Sequence, residues 1–217
     1  MSGSGEPALR IAVPRGALLG ETLDLLDGLG IATVEVRSND RKLLFDDVGI
    51  VTMRPSDVPT YVEAGAADIG ITGKDVLMEQ PERGVIELRD LGYGRCEMVL
   101  ATVDGPDPAA EALRRLGVMR VATKYPKIAA AFFEATGRQA EIVEVKGSVE
   151  LAPLTGLVDA IVDLTATGTT LRENGLVVRE HIALATARLI ANPVAHRLKA
   201  AAIDDLLHRL REGARAA

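Results

Sequence analysis

Gly156-Leu157-Val158-Asp159-Ala160-Ile161-Val162 has a counterpart far earlier in the chain, Gly65-Ala66-Ala67-Asp68-Ile69-Gly70-Ile71. Both read Gly-x-x-Asp followed by an apolar run, and both runs lead into residues rich in Thr and Gly. The first reaches Thr72-Gly73-Lys74-Asp75, and the second reaches Asp163-Leu164-Thr165-Ala166-Thr167-Gly168-Thr169-Thr170. What precedes each copy also matches. Residues 10–13, a Pro14-Arg15-Gly16 turn, a leucine-spaced helix ending at Gly28 and Gly30, and a strand at 31–36 form one β-turn-α-β unit. Residues 120–123, a Lys124-Tyr125-Pro126-Lys127 turn, a helix over 128–135 ended by Gly137, and a strand at 141–145 form another. Two matches in the same order predict an internal repeat, and so two topologically similar α/β lobes.

The remaining elements fit that frame. A polar, basic hairpin is expected at 37–47, turning at Asn39-Asp40, with a strand at 49–53 after it. Ser56 or Asp57 is expected to cap a helix that runs to Gly65. Strands are predicted at 85–91, 97–103 and 183–190. Asp107 is placed to cap a helix over 109–116, and Asn192-Pro193 opens a C-terminal helix. The apolar face of that helix is expected to carry Leu198, Ala201, Ile203, Leu206, Leu207 and Leu210. Residues 1–95 plus 180–217 would form the first lobe and 96–179 the second, with a ligand-holding cleft between them at the strand carboxyl ends. The fold class is α/β, with the two-lobed arrangement of periplasmic binding proteins.

Residues 165–170 place four threonines around Gly168 directly after a buried strand that ends near Asp163. A strand feeding a hydroxyl- and glycine-rich turn at a helix start offers unpaired N–H groups and hydroxyls to an anion. Gly168 permits a left-handed backbone or a close ligand approach. The bland alternative is a β-to-α turn with threonine caps. Asp163 is suited either to ribose hydroxyls or to a hydrated Mg²⁺. In the first lobe Arg15, Arg41, Lys42, Arg54 and Lys74 stand near predicted turns and strand ends, beside Gly16, Thr72 and Gly73. Taken singly each is an ordinary solvated charge; together they suit a polyanion.

Composition removes several classes. The net charge of −6 gives no basic footprint for nucleic acid. Cys96 is the single cysteine, so no disulfide closes within the chain, and a buried apolar role is commoner than a catalytic thiol. His181, His196 and His208 have no metal-ligand spacing. Walker A, Gly-x-Gly-x-x-Gly and nucleophile-elbow motifs do not occur; Gly3-Ser4-Gly5 lies in a Gly/Ser-rich N-terminal stretch expected to be disordered. With no secretory signal and no membrane-length apolar run, the expected location is cytoplasmic.

The run from Glu150 to Leu171, which contains Gly156-Leu157-Val158-Asp159, Asp163-Leu164-Thr165 and Thr167-Gly168-Thr169-Thr170, closely resembles the signature of ATP phosphoribosyltransferases. Three other stretches resemble the same family: residues 11–16, the Arg41-Lys42-Leu43 segment, and residues 54–75. The resemblance covers the chain from about Leu9 to Ala191. It implies an enzyme that opens histidine biosynthesis, in which N1 of the adenine of ATP attacks the anomeric carbon of phosphoribosyl pyrophosphate (PRPP) and pyrophosphate leaves with Mg²⁺. It implies that residues 163–170 hold PRPP, with the Thr loop on the 5′-phosphate and Asp163 near the ribose. Arg41 and Arg54 match catalytic arginines expected at the cleft, while Arg15 stands where many members have Lys. Mg²⁺ would be held mainly by the substrate rather than by protein side chains. The length resembles the short form of the family, which works in a hetero-oligomer with a regulatory subunit resembling histidyl-tRNA synthetase. A different class, a two-lobed binding module for a phosphorylated small molecule, shares the same lobes.

Overall fold

The computed structural model describes residues 8–216, and side chains up to residue 212. The Gly/Ser-rich start expected to be disordered lies outside the described residues. Two compact units divide the chain: residues 1–77, 81–94 and 186–217 form the first, and residues 78–80 and 95–185 the second.

The chain order is β1 (Ile11–Pro14), α1 (Leu19–Gly28), α2 (Val34–Ser38), β2 (Leu44–Phe45), β3 (Ile50–Met53), α3 (Val58–Glu63), β4 (Ile69–Gly73), α4 (Lys74–Glu79) and β5 (Ile86–Asp90). The second unit follows with β6 (Cys96–Val103), α5 (Pro108–Leu116), β7 (Met119–Thr123), α6 (Pro126–Ala135), β8 (Ala140–Glu144), α7 (Leu151–Leu154), β9 (Ala160–Thr165), α8 (Thr169–Glu173) and β10 (Leu176–Ala185). The chain then returns to the first unit through β11 (Ala187–Ala191), α9 (Pro193–Leu198) and α10 (Ala200–Ala216).

The first sheet has the order β2-β3-β1-β4-β11-β5, and the second β10-β6-β9-β7-β8. In each, a central strand (β1 or β7) is parallel to both neighbours, and the next strand along (β4 or β9) is joined on its far side by an antiparallel one. Side chains alternate between the two faces of each sheet, as strand geometry requires. Ile11, Val13, Ile69, Ile71 and Leu189 pack on α1 and α10, whereas Ala12 and Ile190 pack on Val58 and Val62 of α3. In the second unit Met98, Leu100, Val121 and Val162 meet α5 and α6, while Val99, Ala101, Ala122 and Ile161 meet α7 and α8.

The repeat read from the sequence has a physical counterpart. Asp68 Oδ2 accepts the backbone N–H of Arg10 at 2.7 Å, and Asp159 Oδ2 accepts that of Arg120 at 2.7 Å. In return, the Asp68 and Asp159 N–H groups donate to the carbonyls of Arg10 and Arg120, each at 2.9 Å. Gly65 and Gly156 stand at φ 75° and 73°, a left-handed turn that ends the preceding helix. Each Gly-x-x-Asp therefore fastens the start of one parallel strand to its neighbour.

Several expectations are corrected. Residues 31–36 are not a strand: α2 starts at Val34. Asp27 accepts the Thr33 N–H and hydroxyl at 3.1 and 2.7 Å, and Arg37 bonds Thr33, Asp24 and Asp27. The Thr33 hydroxyl and the Arg37 guanidinium hold the Asp27 carboxyl below its usual range. This network favours a helical turn that buries Val36 and leaves Val34 exposed, overriding the β preference of the valines. The turn at Asn39 is present, its Oδ1 accepting the N–H groups of Arg41 and Lys42. The strand that follows it, β2, pairs with β3 and not with an earlier strand. Neither Ser56 nor Asp57 caps α3, which is entered through a 3₁₀ turn at Pro55–Asp57.

The strand expected at 183–190 is two strands in different sheets. Thr186 separates them, its carbonyl accepting the Lys74 N–H and its hydroxyl bonding Asp90 at 2.8 Å. Residues 180–185 consequently belong to the second unit, on β10, and not to the first. Asp107 caps α5 and Asn192-Pro193 opens α9 as expected, each side chain accepting two N–H groups of its helix's first turn. Lys199 interrupts the last helix, so the apolar stripe shifts phase. Ile203, Leu206 and Leu210 are buried, whereas Leu198 is 81% exposed and Ala201 also faces solvent.

Candidate active site

In the second unit the parallel strands β7, β8 and β9 end at one edge of the sheet. There β9 runs through Asp163 and Leu164 to Thr165, and Ala166, Thr167 and Gly168 carry the chain into α8. Gly168 adopts φ 70°, a left-handed conformation suited to glycine. Its N–H donates to Thr165 Oγ1 at 2.8 Å, and the Thr167 and Thr169 hydroxyls meet at 2.9 Å. Among the described residues, the N–H groups of Ala166, Thr167 and Thr170 donate to no protein acceptor, and the Thr170 hydroxyl is likewise uncommitted. The loop thus holds its own shape through three of its threonines while leaving several donors unused. Since α8 spans only Thr169–Glu173, these individual donors matter here, not a long helix dipole.

Asp163 stands at the start of this loop, its Oδ1 accepting the Leu164 N–H at 2.8 Å. Burial raises its carboxyl above the ordinary value; the Leu164 N–H and the Lys124 charge oppose that rise, and Glu150 adds to it. Lys124 follows β7, the neighbour of β9, and lies over the Tyr125 ring. The candidate set read from the sequence omitted Lys124, although the repeat could have found it: it occupies the place after β7 that Arg15 occupies after β1. Arg172 was omitted too. Its Nη1 donates to the Thr167 carbonyl at 2.9 Å and its Nη2 to Thr169 Oγ1 at 3.0 Å.

In the first unit, Arg15, Arg41, Lys42, Arg54 and Lys74 gather at the corresponding edge of the sheet, where β1, β3 and β4 end and β2 begins. Three of them are engaged. Arg15 donates to the Asp40 carbonyl, Lys42 pairs with Glu35 at 2.5 Å, and Lys74 pairs with Glu87 at 2.6 Å. Arg41 and Arg54 are exposed, and their guanidinium groups have no partner among the described residues. Gly16 turns at φ 79° with open space around it.

The structure does not give Thr72 and Gly73 the form of an anion turn. β4 continues through Gly73 and α4 begins at Lys74 with no intervening loop. Thr72 is fully buried, and its hydroxyl donates to the Pro55 carbonyl at 2.8 Å. The Thr/Gly similarity that suggested two matching cradles is therefore confined to composition. At this pair of junctions, only that of the second unit inserts a loop between strand and helix.

The family model described as ATP phosphoribosyltransferase matches residues 54–212. A relative from Rubrobacter xylanophilus named ATP phosphoribosyltransferase is 53% identical over 94% of this chain and 96% of its own length. The chain belongs to the ATP phosphoribosyltransferase family. An ATP phosphoribosyltransferase of Bacillus subtilis is 43% identical over 93% of both chains. The solved ATP phosphoribosyl transferase (HisG:HisZ) complex of Thermotoga maritima contains a chain 35% identical to this one, with a TM-score of 0.78 over 94% of this chain and 97% of that one. An arginine-bound ancestral binding protein aligns at 11% identity with a TM-score of 0.59, which shows a shared fold alone.

Sequence identity over nearly the whole chain separates the two functions that this two-lobed fold supports. It favours the transferase over a solute-binding module. This ATP phosphoribosyltransferase is a pentosyltransferase of histidine biosynthesis that joins the phosphoribosyl group of PRPP to N1 of ATP.

Proposed function

We propose that residues 163–170 hold PRPP, with the 5′-phosphate on the loop and Asp163 toward the ribose hydroxyls. The observation that supports this is the set of unused donors on Ala166, Thr167 and Thr170 around the left-handed Gly168. Three phosphate oxygens accept several hydrogen bonds at once, and fixed N–H groups supply them with little reorganisation. Arg41 and Arg54 would act on the pyrophosphate end. As the N1 lone pair of adenine bonds to the anomeric carbon, the carbon–oxygen bond breaks and its electron pair stays with pyrophosphate. Charge grows there, so a free guanidinium stabilises the transition state more than the ground state. Arg15, Gly16 and Lys74 are proposed as further contacts to substrate phosphates.

Mg²⁺ would arrive with the substrate. Among the described residues no group of three or more His, Cys, Asp or Glu is gathered for a metal, and Asp163 is the only carboxylate in the loop. That donor set suits a cation held by diphosphate oxygens and not by a dedicated protein cage. Such an ion supplies charge neutralisation on the departing pyrophosphate.

The reading extends to a short-form catalytic subunit that assembles with a regulatory subunit of the HisZ kind, as the Thermotoga maritima complex does. A cytoplasmic setting fits the lone cysteine, the phosphorylated substrates and the lack of any described helix long and apolar enough to cross a membrane. Incubation with PRPP, Mg²⁺ and ATP, with and without that subunit, should give the absorbance of N1-substituted adenine. No product in either case would overturn the assignment. Full histidine inhibition of the purified chain alone would overturn the regulatory part. Arg54→Ala should lower turnover by about tenfold or more without loss of fold; unchanged turnover would make Arg54 a surface charge.

A further inference from the structure

The loop contains hydroxyls and N–H groups but no cation of its own, and α8 is too short to supply much dipole. Arg172, one turn into α8, reaches back to it. Its two terminal nitrogens hold the Thr167 carbonyl and Thr169 Oγ1, one on each side of Gly168. A Cβ built on Gly168 would lie 2.9 Å from Nη1, so the guanidinium occupies the space that a side chain at 168 would take. Arg172 makes no ion pair among the described residues, which leaves its charge uncompensated beside the loop. The nearby Glu173 does not pair with it.

A guanidinium is planar and presents its donors as a fork, so it can bridge two acceptors that a lysine would meet one at a time. Holding the Thr167 carbonyl turns that oxygen, an acceptor that would repel phosphate, toward the guanidinium. Bonding the Thr169 hydroxyl oxygen leaves its hydrogen pointed elsewhere. With both ends fixed, the left-handed turn at Gly168 is kept in one shape, and the free N–H groups of Thr167 and Thr170 stay in place on either side of it. Preorganised donors cost less to bring onto a ligand than mobile ones.

We infer that Arg172 is a positioning residue for the phosphate loop: by bridging Thr167 and Thr169 across Gly168 it sets the loop in the form that accepts the 5′-phosphate of PRPP, and it contributes positive charge there. This rests on the reading of residues 163–170 as the PRPP loop. It predicts a selective defect. Arg172→Ala should raise the KM for PRPP by about tenfold while changing the KM for ATP less than twofold and kcat little. Inhibition by ribose 5-phosphate, competing with PRPP, should weaken by a similar factor, and inhibition by pyrophosphate should not. Arg172→Lys should recover only part of the loss, since it restores charge but not the fork.

Gly168→Val, measured in parallel, separates the two levels of the inference. If Gly168→Val abolishes ribose 5-phosphate inhibition and Arg172→Ala leaves it intact, the loop reading stands and the role of Arg172 is wrong. If neither variant affects it, the loop itself is misassigned. Equal losses for PRPP and ATP in Arg172→Ala would mean a general structural role, and complete recovery by lysine would reduce the bridge to a point charge. Either result overturns the inference as stated.

Discussion

The two strand-to-helix junctions that follow Gly-x-x-Asp begin alike and end differently. From Asp68 and from Asp159 the chain enters a buried strand by way of the same pair of hydrogen bonds, one to the carboxylate and one from the backbone N–H. Four residues later they part. In the first unit Thr72 turns its hydroxyl inward to the Pro55 carbonyl, and α4 starts at once. In the second unit the matching position is Asp163, and three residues, Ala166, Thr167 and Gly168, loop out before α8. The repeat builds the frame; the small insertion gives one copy free donors while the other uses its polar groups to pack. The same contrast appears in the glycines. Gly70 is a packing glycine, whose added Cβ would lie 2.6 Å from Val58 and 2.8 Å from Val62. Gly168 is a loop glycine at positive φ.

The largest expected effect follows from that last contrast. Gly168→Val should raise the KM for PRPP by about a hundredfold through loop distortion, with only a small loss of stability. Gly70→Ala should do the reverse: about 1–3 kcal/mol lost from overpacking against α3, with KM values for both substrates near wild type. Steady-state kinetics and chemical denaturation of the two variants decide this. A PRPP-specific defect in Gly70→Ala would erase the distinction.

The twin aspartates come next. Asp68→Ala and Asp159→Ala each strand a backbone N–H group and should each cost about 1–3 kcal/mol. Asp68 also pairs with Lys199 at 2.7 Å, an exposed contact that adds less than about 1 kcal/mol. Denaturation midpoints that differ by much more would break the equivalence of the two units. A smaller pair is Thr72→Val, expected to lose about 1 kcal/mol of stability with PRPP binding kept, against Thr165→Val, expected to weaken PRPP several-fold because Gly168 N–H loses its acceptor. The exchange of these two phenotypes would contradict the account.

The smallest effect is a pH dependence. Burial holds the Asp163 carboxyl above its ordinary value of 3.8, so its favourable contribution to stability is full below that value and is lost as pH rises through the folded-state pKa. Asp163→Asn has no charge to bury. The melting temperature of the ligand-free variant, relative to wild type, should therefore increase across that window and then level off. A difference that narrows with rising pH would show that Asp163 is stabilised as an anion.

Much of this was legible in the sequence because it depends on local, repeated chemistry. Gly-x-x-Asp reads the same in both units, and Asp107 and Asn192 announce their helices because a short carbonyl side chain fits the first turn. The threonine loop was legible as a whole, since its residues are contiguous. The misses depend on contacts distant in sequence or on context. Residues 31–36 have β-rich composition, yet the ion network of Asp24, Asp27 and Arg37 turns them into a helix. The switch between sheets at Thr186 depends on Asp90 and Lys74, far away in the chain. Thr72 and Thr165 look equivalent by residue type; only their surroundings show that one packs and the other supports a loop.

The central claim is that the 5′-phosphate of PRPP sits on the second unit's loop. A crystal structure with PRPP bound tests it most directly. The phosphorus is expected within hydrogen-bonding reach of the N–H groups of Ala166, Thr167 and Thr170, with the Arg172 bridge intact and Asp163 beside the ribose. A 5′-phosphate found instead at Arg15, Gly16 and Lys74 of the first unit would contradict it.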